Sequence, residues 1–180
     1  MTTVRPDIRS LRIVPLSDHG WLAGFDSGEQ EIDRNIERCC EKHDTYRGRT
    51  FCAMIDGHPN AYGFYSLGVS AHDSKYLSEE MIKASGGHAF VPFIYLNYLA
   101  VRKDYQNQRI GTLLLMHALS RCEQVVRNVG GVYGVALHAL TDRAAGLYDR
   151  YGFRPYGQHR FPFMILPAQS LLDLMASRAS

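Results

Sequence analysis

The 180 residues carry 20 Lys+Arg against 18 Asp+Glu, a formal charge of +2, with 46% hydrophobic and 21% charged side chains. That balance describes a folded chain with one sizeable core and excludes disordered and fibrous classes, while a charge this small does not by itself argue for nucleic acid. No apolar run reaches the roughly 18 residues of a membrane span, and M-T-T-V-R-P-D-I-R-S at the N-terminus has no apolar signal core, so a cytoplasmic location and no membrane partner are expected.

With no repeat and no low-complexity linker, residues 1–180 are expected to form a single domain. L-R-I-V (11–14) predicts a first strand. S-G-E-Q opens a helix, with Ser27 and Gln30 in a capping-box pattern, and Ile32, Ile36 and Cys39/Cys40 follow at helical spacing. R-T-F-C-A-M-I (49–55) and A-Y-G-F-Y-S-L-G-V (61–69) predict strands joined as a hairpin through D-G-H-P-N. S-E-E-M-I-K-A (78–84) reads as a short helix before an S-G-G-H loop. F-I-Y-L-N-Y-L-A-V (93–101) is so apolar that a central strand is expected. Leu114, Ala118, Cys122 and Val125 form one stripe of a long helix from Ile110 that stops before Gly130-Gly131. G-V-Y-G-V-A-L-H-A-L (131–140) predicts a strand, and the next helix is capped by Thr141 or Asp142 and closed by Gly152. F-P-F-M-I-L (161–166) is the last predicted strand.

Antiparallel strands first and a strand–helix–strand unit afterwards predict an α/β (α+β) fold. Its sheet is mixed, with helices on both faces and a ligand at the carboxyl end of a central parallel pair. Cys39, Cys40, Cys52 and Cys122 form no C-x-x-C pair and no zinc spacing, so reduced, packed thiols and no metal are expected.

Chemistry first surfaces at Y-Q-N-Q-R-I-G-T-L-L (105–114), between the apolar strand and the long helix. Free N–H groups at a helix start bind anions, and glycine lets a diphosphate approach the backbone. Gly111 is present, but Arg109 stands two residues earlier, where a second glycine would be expected. The residues alone leave two readings open, a phosphate cradle and an ordinary helix start.

L-A-V…Q-N-Q-R-I-G-T-L-L-L, V-A-L-H-A-L and A-A-G-L-Y-D-R-Y-G-F together resemble the GNAT family of acetyl-CoA-dependent N-acetyltransferases. Gln106 and Gly111 match the outer positions of its Q/R-x-x-G-x-G/A motif, and Arg109 departs at the middle one. Ala145, Leu147, Tyr148, Gly152 and Phe153 match its second motif. The resemblance implies a mostly antiparallel sheet with a splayed central parallel pair and acetyl-CoA as cofactor. Its diphosphate would lie on Gln106, Asn107, Gln108, Arg109, Ile110, Gly111 and Thr112, and its pantetheine arm on the main chain of Leu99, Ala100 and Val101. The Arg109 guanidinium is suited to pair with a phosphate. Tyr148 takes the place of the family's proton donor, since a phenol is protonated at neutral pH. The base is open among His138, Tyr65, Asn97, Tyr98 and a water relay.

F-D-S-G-E-Q-E-I-D-R-N-I, R-G-R-T-F-C-A-M, G-F-Y-S-L and P-F-I-Y-L-N-Y-L-A-V look like the toxin branch of that family. Its members acetylate the α-amino group of aminoacyl-tRNA, are neutralised by a ribbon-helix-helix antitoxin, and are usually homodimers. That branch more often has a basic residue where Tyr98 stands. Arg34, Arg38 and Lys42, at i, i+4 and i+8, are expected to line one side of the first helix, with Arg47 and Arg49 in the following turn. Such a row either tracks RNA phosphates or forms a solvated face paired with the interleaved Glu31, Asp33, Glu37 and Glu41. Two other readings stay open: acetylation of a small amine, polyamine or protein lysine, and a catalytically silent acyl-CoA-binding module.

Overall fold

A computed structural model describes residues 7–84, 86–156 and 161–179. Ser85 of the S-G-G-H loop and the first six residues lie outside them. The elements run β1 (Arg12–Pro15), α1 (Gln30–Asp33), α2 (Ile36–Asp44), β2 (Arg49–Met54), β3 (Gly63–Asp73), α3 (Glu79–Ala84) and β4 (Phe90–Val101). Then come α4 (Ile110–Asn128), β5 (Gly134–His138), α5 (Asp142–Asp149), β6 (Arg154–Pro155), β7 (Phe163–Pro167) and α6 (Ala168–Ala179). Strand order is β1-β2-β3-β4-β5-β7-β6, mostly antiparallel with β4 and β5 as the parallel pair, so the expected mixed sheet is present with β4 at its centre.

Two compact units divide the chain: the segment up to Gly68 with Asn97–Ala118, and Val69–Leu96 with the segment from Leu119 onward. In the first, β2 pairs with β1 from Arg12↔Met54 to Pro15↔Phe51 and with β3 from Arg49↔Leu67 to Ala53↔Gly63. Every β2 residue from Thr50 to Met54 is buried, as a strand covered on both faces requires. Thr50 sits there without an unpaired hydroxyl, because its Oγ1 donates to the Cys39 carbonyl at 3.2 Å and lies 3.3 Å from Ser66 Oγ.

The single first helix expected from periodicity is two helices. Asn35 breaks it: its side-chain amide donates to the Glu31 carbonyl at 2.7 Å, the acceptor its own N–H would use in a continuous helix. The Asn35 N–H turns instead to Ile32 at 2.9 Å, and a fresh helix starts from the Asn35 carbonyl, which accepts from Cys39 N–H at 3.0 Å. The Ser27–Gln30 capping box also does not form. Glu29 is the residue ahead of α1, while buried Ser27 turns its hydroxyl to Asp33 Oδ1 at 2.7 Å.

In the second unit the β4–β5 ladder is registered at Ile94↔Val135 and Tyr95↔Ala136, and β7 pairs antiparallel with β5 from Gly134↔Pro167 to His138↔Phe163. Val91, Phe93, Ala136, Phe163 and Ile165 form one core cluster, against which Leu77 and Met81 pack. Gly134 is required by close approach, since a Cβ there would lie 2.2 Å from the Leu166 carbonyl oxygen. α6 was not anticipated from the sequence. Its Leu171 is fully buried, and the Leu171/Leu174/Met175 spacing is the signal that marks it.

Candidate active site

The loop ahead of α4 is built by Gln106. Both hydrogens of its side-chain amide are used at home, donated to the Ser27 carbonyl at 2.8 Å and the Val101 carbonyl at 3.2 Å. Gln106 therefore ties the loop to the end of β4, and its contribution to a ligand site comes through loop shape. Arg102 is equally committed, donating to the carbonyls of Ala61, Gly24 and Ala23 and stacking over the Phe25 ring at 4.9 Å.

Arg109 has φ 62°, the left-handed conformation that glycine adopts freely and that costs a residue with a Cβ about 1–2 kcal/mol. The backbone geometry of the missing glycine is thus retained under an arginine. A left-handed residue entering a right-handed helix turns successive N–H groups to one side, the shape of an anion-binding concavity. Leu113 N–H bonds back to the Arg109 carbonyl at 3.0 Å, so the amides of Ile110, Gly111 and Thr112 lie in the turn that a helix leaves without intrahelical acceptors. Asn107 shares the positive φ at 62°, which asparagine tolerates.

Gly111 gives the test of fit for acetyl-CoA. It lies inside α4, where glycine costs about 1 kcal/mol relative to alanine. Its backbone is not left-handed, and a Cβ there would meet only Val101 and Leu99 side chains at an ordinary 3.7 and 4.0 Å. The chain's own packing gives no reason for the glycine; approach of a phosphate group does. Exposed Arg109, half-buried Gln108 and the first turn of α4 fit an anionic ligand. Leu99 and Val101 are half-buried and Ala100 is buried, on the stretch of β4 that runs past the last registered pair with β5.

Tyr148 sits near the end of α5, which Thr141 caps by accepting the Ala144 N–H at 3.1 Å; Asp142 is the first helical residue. Gly152, at φ 88°, reverses the chain so that Phe153 folds back, its N–H on the Tyr148 carbonyl at 3.2 Å and its ring 5.7 Å from the Tyr148 ring. That is the physical content of the tyrosine–glycine–phenylalanine spacing. Tyr148 is 6% exposed, and burial drives its phenol pKa far above the ordinary value, so the hydroxyl keeps its proton.

The basic residues are rearranged by the break between helices. Arg34 follows the last residue of α1 and donates to Gln30 Oε1 at 3.1 Å, on a helix separate from the one that carries Arg38 and Lys42. Arg38 and Lys42 remain on α2, where charge is sorted by face. Buried Cys39, whose pKa burial pushes up to about 12, feels Lys42 and Arg38, while its neighbour Cys40 feels Asp44 and Glu37. Gly48 N–H bonds the Lys42 carbonyl at 3.1 Å, which brings the basic edge of α2 against the Arg47–Arg49 turn. Tyr46 in that turn is 83% exposed with φ 58°, and the Arg49 guanidinium lies 5.4 Å from its ring centre. Composition offered no signal for Tyr46; only the turn exposes it. The acidic edge borders a cleft of about 590 Å³, lined among others by Leu22, Phe25, Asp33, Glu37, Glu41 and Asp44.

The four base candidates separate. Tyr65 is fully buried, with its hydroxyl 2.7 Å from His117 Nδ1. Tyr98 has its pKa raised, first by burial and then by Cys39 and Glu31. Asn97 approaches Gly68, whose Cβ would lie 3.0 Å from its Nδ2. His138 ends β5 exposed and hydrogen-bonded to the Tyr95 phenol.

Residues 47–155 match the family described as acetyltransferase (GNAT) domain. A tRNA-acetylating toxin of Mycobacterium tuberculosis is 30% identical over 141 residues, 77% of this chain and 81% of the relative. A crystal structure of a KacT mutant superposes with TM-score 0.79 at 25% identity, covering 92% of this chain and 99% of that one. AtaT complexed with acetyl-methionyl-tRNAfMet does so with TM-score 0.77 at 22% identity and the same coverage, which shows the fold. No helix among the described residues is long and apolar enough to cross a membrane. The family match over more than half the chain and the relative at 30% identity agree with the loop, the motif glycine and the buried tyrosine: the chain belongs to the GNAT family of acetyl-CoA-dependent N-acetyltransferases.

Proposed function

We propose that this enzyme acetylates the α-amino group of an aminoacyl-tRNA and so blocks translation in the cytoplasm. The observation that carries this reading is kinship with the tRNA-acetylating toxin across most of both chains. The edge formed by Arg38, Lys42, Arg47 and Arg49 supports it, because it offers phosphate contacts around an exposed aromatic ring, the combination that holds single-stranded RNA ends. The α-amine of an aminoacyl ester, less basic than a lysine ε-amine near 10.4, is also more often neutral at pH 7 and ready to attack.

When bound, acetyl-CoA supplies an acyl group activated as a thioester. In this reading the first turn of α4, with Gln108 to Thr112, holds its phosphates, and the main chain of Leu99, Ala100 and Val101 orients the arm. Tyr148 holds the proton that the departing sulfur needs. An antitoxin of the ribbon-helix-helix type restrains the enzyme, and the working form is a homodimer. The antitoxin is supported by a neighbour, the AtaT mutant toxin, whose structure is bound to the C-terminus of the antitoxin AtaR.

One observation favours a second acceptor, a polyamine: the carboxylate-rimmed cleft on the other edge of α2 suits a flexible cation. Incubation with labelled acetyl-CoA, total charged tRNA and spermidine decides between them. Label is expected on the amino acid of charged tRNA. Label on spermidine with none on tRNA would replace this reading with the second.

A further inference from the structure

We propose that His138 is the base that takes the proton from the acceptor amine, and that Tyr95 is the residue that positions its ring. The two belong to one compact unit and are joined by a hydrogen bond between the Tyr95 phenol and His138 Nδ1. Tyr95 is registered against Ala136 across the parallel ladder, and His138 follows two positions later, so strand alternation sets both side chains on one face. His138 is the last residue of β5 and is exposed, whereas the four residues before it are buried. It therefore stands at the carboxyl end of a parallel pair, the end at which ligands enter α/β sheets.

The other described histidines are engaged differently. His117 meets the buried Tyr65, His43 accepts the Thr50 N–H at 3.1 Å, and His19 pairs with Asp44 at 3.1 Å. His58 is held within its own turn by the Asn60 carbonyl at 3.0 Å, and His88 lies in the loop before β4. His72 comes from β3 to stack on Tyr95 at 6.2 Å and to lie 4.6 Å from the Phe163 ring. His72 is a titratable neighbour of the pair, Tyr133 and Tyr156 pack on the same core cluster as Tyr95, and Phe163 of β7 packs on His138 at 5.1 Å.

The hydrogen bond decides whether this imidazole is a base. If Nδ1–H donates to the Tyr95 oxygen, the lone pair of the neutral ring is on Nε2. If Nδ1 instead accepts from the phenol, Nε2 carries the hydrogen and has nothing with which to take a proton. The proposal commits to the Nδ1–H form. As the amine nitrogen bonds to the acyl carbon and the C–S bond breaks, the surplus proton on nitrogen passes to His138 Nε2 and on to water. The departing sulfur takes up one proton, so the transfer balances.

Long-range ¹H–¹⁵N spectra of the labelled free protein read the tautomer directly, with the ring of His138 identified by its loss in His138→Gln. The expected neutral form is protonated at Nδ1 and bare at Nε2, and Tyr95→Phe should release that preference. In turnover on charged tRNA, His138→Gln should lower kcat by about 10²-fold or more with the KM for acetyl-CoA unchanged. It should also remove the His138 step from the rising limb of the kcat/KM–pH profile, leaving the amine's own ionisation. Tyr95→Phe should lower kcat less than His138→Gln does and should shift that step. An Nε2–H ring in the wild type, or His138→Gln within about twofold of wild-type turnover, would overturn the proposal. If charged tRNA is no acceptor at all, the acceptor reading fails separately and the tautomer alone decides the role of His138.

Discussion

Arg109 concentrates the tension between stability and ligand binding in one residue. Its left-handed backbone favours glycine, yet its exposed guanidinium stands where a diphosphate is expected. Arg109→Gly should leave the free protein at least as stable, with a gain of up to about 1 kcal/mol from relieved strain. Arg109→Glu should weaken coenzyme A binding by about tenfold or more, or ~1.4 kcal/mol, by setting like charge beside phosphate. Calorimetry on both variants checks the pair; undiminished affinity in Arg109→Glu would show that the guanidinium points away. Tyr148 makes the complementary case. Its phenol is buried and held protonated, so Tyr148→Phe keeps the ring packed on Phe153 and removes only the hydroxyl that carries the proton. Turnover should fall by about 10²–10⁴-fold with coenzyme A affinity and Tm nearly intact. Equal turnover in the variant would remove Tyr148 from the mechanism.

At the scale of an element, the proposed RNA contacts of α2 rest on the sorting of its charges by face. Its basic edge continues into the Arg47–Arg49 turn, and each phosphate neutralised there adds about 0.7–0.9 to the slope of log K against log salt. Replacing Arg38, Lys42, Arg47 and Arg49 by alanine should flatten that slope for charged tRNA and leave coenzyme A binding unchanged. Tyr46→Ala should weaken binding by the ~1–3 kcal/mol of one stacked base. Salt-independent binding by the wild type would assign RNA no phosphate contacts here. The inner face of α2 carries His43, whose Nδ1 must stay neutral to accept the Thr50 N–H. Burial, followed by the Arg49 charge, depresses its pKa below the ordinary 6.5. A depressed folded-state pKa means that the unfolded chain binds the proton more readily. The contribution is therefore complete above about 6.5 and declines as pH falls below it. Denaturant titrations at descending pH should show this loss, and His43→Gln should reduce its steepness.

For the molecule as a whole, ligand binding should appear as stability. Coenzyme A at 100 times its Kd adds about 2.7 kcal/mol to the folded state, roughly 5–10 °C in Tm for a chain of this size. Thermal scans against coenzyme A concentration check this, and an unmoved Tm would contradict the cradle on α4. The two compact units share the continuous strands β3 and β4 and the helix α4, whose residues pass from one unit to the other.

Local signals in the sequence determined much of this protein. Apolar periodicity marked every strand but the two-residue β6, together with α4; Gly130-Gly131 and Gly152 stopped their helices, and two motifs in order gave the family, because these features depend on residues a few positions apart. Other features depend on which donor meets which acceptor after folding. Asn35 broke the first helix by taking the Glu31 carbonyl, which spacing alone does not reveal, and this set Arg34 on a different helix from Arg38 and Lys42. Gln106 matched a motif, but only the folded chain brought Ser27 and Val101 to its amide. Tyr46 is one of 11 tyrosines until a left-handed turn exposes it. The pairing of Tyr95 with His138 joins residues 43 positions apart, and the strand register that brings them together is a property of the sheet.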